Sequence, residues 1–345
     1  MKRIALLGAT GSIGRQAIEV IDAHPGLELV AATSGSTTID GLAPLTQVGG
    51  DPTELLERAE PDVVLNAVVG FAGLAPTMWA LEGGVTLALA NKESLVAAGE
   101  LALAAHARGG GELIPVDSEH SALFQCARLG EPESLVLTAS GGPFRGRTSD
   151  DLADVTPDEA LAHPTWSMGP KITIDSATLA NKGLEVIEAH FLFRVPYDRI
   201  EVLIHPPSVV HGLVRFRDGA AIAHLGHPDM RVPISYALTY PERAPTPVPA
   251  LDLTARPLEF HEPDTDTFAM LALAREAGER GGTYPCAYNA ANEVAVQQFL
   301  DRRIGFLDIA PLVEEVLDRV DGSPARDLAE LVEADRRARD LVAVA

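Results

Sequence analysis

The strongest constraint on what this chain can fold into lies at residues 4–14, where Ile4-Ala5-Leu6-Leu7 runs straight into Gly8-Ala9-Thr10-Gly11-Ser12-Ile13-Gly14. Four apolar residues bounded by glycine read as a short buried strand. Ser12 then opens a helical pattern that His24-Pro25 stops. Glycines at a strand-to-helix turn let the backbone bend tightly and approach a pyrophosphate, and the helix N-terminus supplies N–H groups and a partial positive charge. This context predicts a dinucleotide cradle; the plainer alternative is a tight turn with no ligand.

Further on, strands at 27–33, 62–69, 85–90 and 113–116 alternate with helices at 72–82 and 95–108, the latter ended by Gly109-Gly110-Gly111. The alternation predicts a parallel, doubly wound sheet over a first domain, residues 1–117. From 118 to 250 the rhythm changes. A helix at 118–127 and a strand at 135–139 lead to a Gly-Gly-Pro turn, then a strand at 171–175 and a long helix at 177–193. Segments at 200–205, 209–215 and 220–225 read as antiparallel strands, so this second domain is expected to be α+β. Residues 241–265 are rich in proline and poor in helical periodicity, and the linker is placed at 251–266. Residues 267–345 carry helical patterns near 267–280, 286–300, 308–320 and 325–342, a small helical bundle. The expected class is α/β: a Rossmann-like first domain, an α+β catalytic domain and a C-terminal helical bundle.

With 345 residues the chain has room for two or three domains. Its net charge of −22 argues against nucleic acid, whose phosphates demand clustered Lys and Arg. No run approaches the roughly 18 unbroken apolar residues of a membrane span. The apolar stretch at 4–7 is too short for a signal-peptide core. Cys126 and Cys286 make neither a disulfide framework nor a zinc site. A cytoplasmic enzyme without a membrane partner is expected. Of 27 basic residues only Lys2, Lys92, Lys171 and Lys182 are lysine. Where arginine is the default, a retained lysine marks a place that calls for a compact ammonium.

Several motifs carry chemistry. Cofactor choice is read at the end of the second strand, here Thr33-Ser34-Gly35-Ser36-Thr37, which has no acid before Asp40. The missing ribose-binding acid disfavours NAD. Ser36 and Thr37 hydroxyls can bond a 2′-phosphate, so NADPH is preferred. Asn91-Lys92-Glu93 follows another strand, and ligands collect at the carboxyl ends of strands in such sheets; a solvated loop charge is the alternative. In Asp117-Ser118-Glu119, continued extension would point both carboxylates the same way, inviting a hard cation such as Mg²⁺ or Mn²⁺. The alternative is a pair capping the next helix. Ser140-Gly141-Gly142-Pro143-Phe144 offers a hydroxyl and free N–H groups to an anion. The loop His163-Pro164-Thr165-Trp166-Ser167-Met168-Gly169-Pro170-Lys171 reads as a ligand lid or an interface. In Asp175 to Glu185, helical spacing puts Asn181, Lys182 and Glu185 on one face, and Ser176 is expected near the helix N-terminus. A salt-bridged surface helix would look similar, but Gly183 in mid-helix costs about 1 kcal/mol against alanine, a sign that something approaches closely.

Together these segments resemble the 1-deoxy-D-xylulose 5-phosphate reductoisomerase family from Gly8 to about Leu300, through GATGSIG, LANKESLV, PVDSEH, SGGPFR, HPTWSMGPKITIDSATLANKGLE, LGHPDMR and NAANEVAV. The resemblance implies that Asp117, Glu119 and Glu185 ligate Mg²⁺ or Mn²⁺. It implies substrate contacts from Ser118, Ser140, His163, Ser176, Asn181 and Lys182, several of them to the phosphate. NADPH contacts would come from Thr10, Gly11, Ser12, Ile13, Asn91, Glu93 and Gly169, with Gly35 and Ser36 at the ribose end. Lys92 would sit between the two ligands and Trp166 would cover the substrate. The implied reaction isomerises a phosphorylated ketose by a retro-aldol/aldol route and reduces the resulting aldehyde to 2-C-methyl-D-erythritol 4-phosphate, an isoprenoid precursor. The implied assembly is a homodimer.

Two departures stand out. Ser36 occupies a position where the family often has lysine. The stretch from Ser36 to Pro61 is short, by about one strand–helix unit of the usual fold. Two other readings share the N-terminal domain: a dehydrogenase of the homoserine or aspartate-semialdehyde type, which needs no carboxylate trio, and a non-catalytic dinucleotide sensor.

Overall fold

The structure, a computed structural model, describes residues 1–255 and 257–344. In chain order it forms β1 (Lys2–Leu7), α1 (Ser12–Ala23), β2 (Leu27–Ser34), β3 (Leu45–Val48), α2 (Thr53–Ala59), β4 (Val63–Asn66), α3 (Leu74–Glu82), β5 (Thr86–Leu89), α4 (Lys92–Gly109), β6 (Leu113–Pro115), α5 (Ser118–Ala127) and β7 (Ser134–Ala139). The remainder is α6 (Ser149–Leu152), α7 (Pro157–Ala160), α8 (Pro170–Thr178), α9 (Ala180–Phe193), β8 (Ile200–Ile204), β9 (Val210–Arg215), β10 (Ala221–Leu225), α10 (Arg231–Thr239), α11 (Met270–Arg280), α12 (Tyr284–Leu300), α13 (Ile309–Arg319) and α14 (Leu328–Val344). No helix among the described residues is long and apolar enough to cross a membrane.

The chain divides into two compact units, and their limits differ from the three-domain layout expected from sequence. The first holds residues 1–94, 102–125 and 229–252; the second holds 95–101, 126–228 and the chain from 253 onward. Kinked helix α4, non-helical at Ala98, contributes to both.

In the first unit six parallel strands lie in the order β3-β2-β1-β4-β5-β6. Chain order runs outward from β1 in one direction and from β4 in the other. Their shared carboxyl edge is therefore the switch point where such sheets bind ligands. Ile4, Leu6, Leu65, Ala88 and Ile114 are buried in its core, and α10 adds Ile234, Ala237 and Leu238. Those three explain why residues read as the tail of the second domain belong here: α10 has an apolar face, and this core receives it. Lys2 Nζ also donates to the Tyr240 carbonyl at 2.7 Å. The short stretch after Ser36 does hold a strand and a helix, β3 and α2. What is absent is a helix between β2 and β3, where residues 35–44 form neither helix nor strand.

In the second unit β10-β9-β7-β8 form a mixed sheet. The expectation of antiparallel strands holds for β9 with β10, but β8 runs parallel to β7, which lies between β8 and β9. A parallel neighbour requires a crossover, and α8 and α9 lie on it. The expected strand at 171–175 is instead α8. Ile172, Thr173 and Ile174 imitate a strand in composition, yet Pro170 at the first helical position pre-sets φ. Lys171 and Asp175 then pair one turn apart at 2.6 Å. The expected single helix at 177–193 is likewise interrupted, at Leu179, whose φ of 63° is left-handed. Gly183 has the neighbour its position called for: a Cβ there would lie 2.5 Å from Ala274 Cβ of α11.

Candidate active site

In the first unit the glycine turn is built by close backbone approach. Gly8 has φ +86°, and a Cβ there would stand 2.6 Å from the Ala67 carbonyl at the end of β4. Gly14 sits so near the turn that a Cβ would lie 2.2 Å from the Gly8 carbonyl. The turn is tied to the end of β2, since Gly8 N and Ala9 N both donate to the Thr33 carbonyl, at 3.1 and 2.8 Å. Helix α1 then opens after Gly11 with no side-chain cap and no acid in its first turn. Thr10, Gly11, Ser12 and Ile13 thus line an uncapped helix N-terminus at the switch point, suited to an anion. Gly35 and Ser36 follow β2 and are exposed.

Asn91 organises the next strand end. Its Oδ1 accepts from Ser94 N at 3.1 Å, capping α4. Its Nδ2 reaches the Val68 carbonyl at 2.7 Å, the Gly70 carbonyl at 2.8 Å and Glu93 Oε2 at 3.0 Å. Sequence reasoning missed the support behind it: buried Asn66 donates to the Gly73 carbonyl at 2.8 Å and to Thr77 Oγ1 at 2.9 Å. An asparagine inside a short apolar strand was the available clue.

Lys92 is not a solvated loop charge. It is 5% exposed and paired with Asp117 Oδ2. A buried ammonium at a helix N-terminus opposes the helix dipole and loses hydration, so it needs that carboxylate. The expected extension through Asp117-Ser118-Glu119 does not occur, because α5 begins at Ser118. Its first bond runs from Ser121 N to the Asp117 carbonyl at 2.8 Å, and Asp117 Oδ1 accepts from Ser118 N at 3.0 Å. Even so, Asp117 and Glu119 bring carboxylate oxygens within 4.8 Å of each other. Ser118 Oγ donates to Glu119 Oε2 at 2.5 Å, and Asp117 Oδ2 is held by the Lys92 ammonium. Two carboxylates that close together offer hard oxygens of the kind that suit Mg²⁺ or Mn²⁺.

The second unit gathers Ser140, His163, Ser176, Asn181, Lys182 and Glu185. Gly141 and Gly142 have φ of +86° and +70°, and a Cβ on Gly142 would stand 2.6 Å from the Ser176 carbonyl. The Ser140 turn therefore lies against the junction of α8 and α9. Ser176 is in the last turn of α8, not at a helix N-terminus as expected, because Leu179 breaks the helix. Nδ1 of His163 accepts from Thr165 N at 3.1 Å and Trp166 N at 2.9 Å. Its proton is then on Nε2, 3.0 Å from Ser140 Oγ, which also accepts from Gly142 N at 3.2 Å. With two donors on its oxygen, Ser140 has its own proton available for a ligand oxygen. Burial pushes the His163 pKa down, which favours the neutral ring.

Glu185 is fully buried, its oxygens held by Asn181 Nδ2 at 2.6 Å and Lys182 Nζ at 2.5 Å. Lys182 also donates to the Thr138 carbonyl at the end of β7, at 2.6 Å. The expected shared face is real, and it is buried, unlike a salt-bridged surface helix. Trp166 lies in the irregular segment before α8, its ring 6.4 Å from that of His211, and Gly169 is the N-cap of α8. Sequence reasoning also missed Asn292, from the NAANEVAV segment, which donates to buried Asp175 of α8 at 2.8 Å.

Comparison with known proteins gives the family. Models described as 1-deoxy-D-xylulose 5-phosphate reductoisomerase match residues 4–50 and 45–99, its C-terminal domain matches 113–193, and a DXP reductoisomerase C-terminal domain matches 225–341. Among curated relatives, the 1-deoxy-D-xylulose 5-phosphate reductoisomerase of Leifsonia xyli subsp. xyli is 51% identical, covering 98% of this chain and 97% of its own. That of Thermomicrobium roseum is 49% identical, covering 98% and 96%. Among solved structures, the Zymomonas mobilis reductoisomerase in complex with NADPH is 39% identical with a TM-score of 0.89, covering 99% of this chain and 98% of that one. A reductoisomerase in complex with NADPH, fosmidomycin and magnesium is 36% identical with the same TM-score, covering 100% and 98%. With family models matching most of the chain and nearly the whole length shared with these relatives, this chain belongs to the 1-deoxy-D-xylulose 5-phosphate reductoisomerase family.

Proposed function

We propose that this chain converts 1-deoxy-D-xylulose 5-phosphate to 2-C-methyl-D-erythritol 4-phosphate, with NADPH as reductant and Mg²⁺ or Mn²⁺ as cofactor. One observation carries the reading: a chain 49–51% identical to such enzymes over 98% of its length places buried Lys92 against Asp117, with Glu119 beside it. Asp117, Glu119 and Glu185 are the proposed metal ligands. When bound, the ion supplies Lewis acidity to adjacent hydroxyl and carbonyl oxygens of the substrate.

The chain's own residues do the remainder. Thr10, Gly11, Ser12 and Ile13 seat the pyrophosphate on the α1 N-terminus, with Gly35 and Ser36 toward the ribose and Asn91, Glu93 and Gly169 completing the dinucleotide contacts. The Ser140 hydroxyl, supported by His163, donates a hydrogen bond to a substrate phosphate oxygen, and Ser176, Asn181 and Lys182 add contacts to the substrate. Ser118 meets a substrate hydroxyl. Lys92, held by Asp117, keeps a fixed positive charge and a proton at Nζ where oxygen anions develop during bond breaking and re-forming. Trp166 covers the substrate and excludes water while the skeleton rearranges and the aldehyde is reduced. The enzyme works as a homodimer in the cytoplasm; its two cysteines, Cys126 and Cys286, are buried and free, as a reducing compartment leaves them.

The test follows NADPH absorbance with 1-deoxy-D-xylulose 5-phosphate, first with Mg²⁺ and then with EDTA. Oxidation that needs the metal is expected. Glu185→Gln should still bind NADPH but lose most turnover, and wild-type turnover in that variant removes the metal assignment. Metal-independent turnover would instead favour a dehydrogenase of the homoserine or aspartate-semialdehyde type. Binding without consumption would favour a dinucleotide sensor.

A further inference from the structure

NADPH differs from NADH only by a 2′-phosphate, and in this sheet order that group lies beyond the carboxyl end of β2. Ser34, Gly35, Ser36 and Thr37 supply hydroxyls there and no cation. Ser34 Oγ is already turned inward to the Thr37 carbonyl. Two hydroxyls alone are a weak counterpart for a dianion, so a selective site needs a positive charge from elsewhere.

The first unit has eight basic side chains besides histidine, and seven are accounted for. Lys2, Arg3 and Arg243 donate to Tyr240, Ala59 and Gln125. Lys92, Arg108 and Arg231 pair with Asp117, Glu82 and Asp229. Arg58 is in the last turn of α2, which leads into the start of β4 and so lies toward the opposite edge of the sheet. Arg15 remains. It is exposed in the first turn of α1 and forms no ion pair among the described residues. Its Nη1 donates to the Thr10 carbonyl at 2.5 Å. The adjoining residue, Ala9, donates with Gly8 to the Thr33 carbonyl of β2. The guanidinium is thus held at the seam between the glycine turn and the end of β2. It also lies one helical turn from Ser12 on the same face of α1.

We infer that Arg15 selects NADPH over NADH, with its guanidinium pairing the 2′-phosphate that Ser36 and Thr37 also bond. The inference rests on the proposed function, which places NADPH at this turn. Arginine suits the task because its planar fork meets two phosphate oxygens at once. An exposed side chain on a helix surface can make that contact without rearranging the core.

The test is equilibrium binding of NADPH and of NADH to wild type, Arg15→Ala and Arg15→Lys, by quenching of intrinsic fluorescence. Arg15→Ala should weaken NADPH by about tenfold, as expected for loss of one exposed charge-assisted contact, and leave NADH within about twofold. Arg15→Lys should fall between, and rising salt should weaken NADPH more in wild type than in Arg15→Ala. Unchanged NADPH affinity in Arg15→Ala overturns the inference and leaves the function standing. Equal loss of both dinucleotides also overturns it, since that outcome means the turn itself was disturbed. A wild-type protein that binds no NADPH overturns the proposed function and this inference together.

Discussion

Two backbone N–H groups, from Thr165 and Trp166, converge on Nδ1 of His163, and this decides what the ring can do. Burial strips water from the ring and penalises its charged form, so the folded chain resists the proton and the pKa falls below its ordinary 6.5. The unfolded chain has no such resistance. As pH drops through about 6.5 it takes up a proton first, and stability falls until the lowered folded value is reached. His163→Asn should flatten that part of the stability–pH curve, read from urea midpoints; a curve parallel to wild type would show that the ring titrates freely. Lys92 and Glu185 make a related point. Each is a charge buried deeply enough to require its partner, and sequence spacing could name the residues but not their burial.

At the scale of elements, the informative failures are at α8 and β8. Ile172-Thr173-Ile174 has strand composition, yet Pro170, the cap at Gly169 and the Lys171–Asp175 pair make it helical. Local propensity is a weak prior when a start signal and a one-turn ion pair agree against it. The placement of β8 beside β7 depends on pairing across about sixty residues of chain, which no local pattern encodes. Gly183 was legible as a close approach, and α11 is the element that approaches. Gly183→Ala should therefore destabilise the second unit by about 1–3 kcal/mol, since overpacking outweighs the gain in helix propensity. Adding Ala274→Gly should recover part of the loss, measured as coupling in a double-mutant cycle of urea unfolding. Additive losses would show that the two sites do not share that contact.

At the scale of the whole molecule, the doubly wound sheet was readable because alternating strand and helix patterns with short connections admit few arrangements. The strand ends carrying Gly8, Asn91, Asp117 and Ser140 were readable for the same reason, since ligands gather there. Other features were not local. That residues 229–252 return to the first unit follows from an apolar face on α10 finding the core around Ile4 and Ala17. That no helix joins β2 to β3 shows only when β3 is seen in its place at the sheet edge. The sequence by itself determined the fold class, the glycine turn, the residue types of the candidate site and their order along the chain, because each depends on interactions within a turn or two. Only the tertiary structure decided which carboxylate meets Lys92, that Ser176 closes a helix instead of opening one, which way β8 runs and where Arg15 is held. Those depend on burial and on partners distant in sequence, whose energies exist only once the chain has folded.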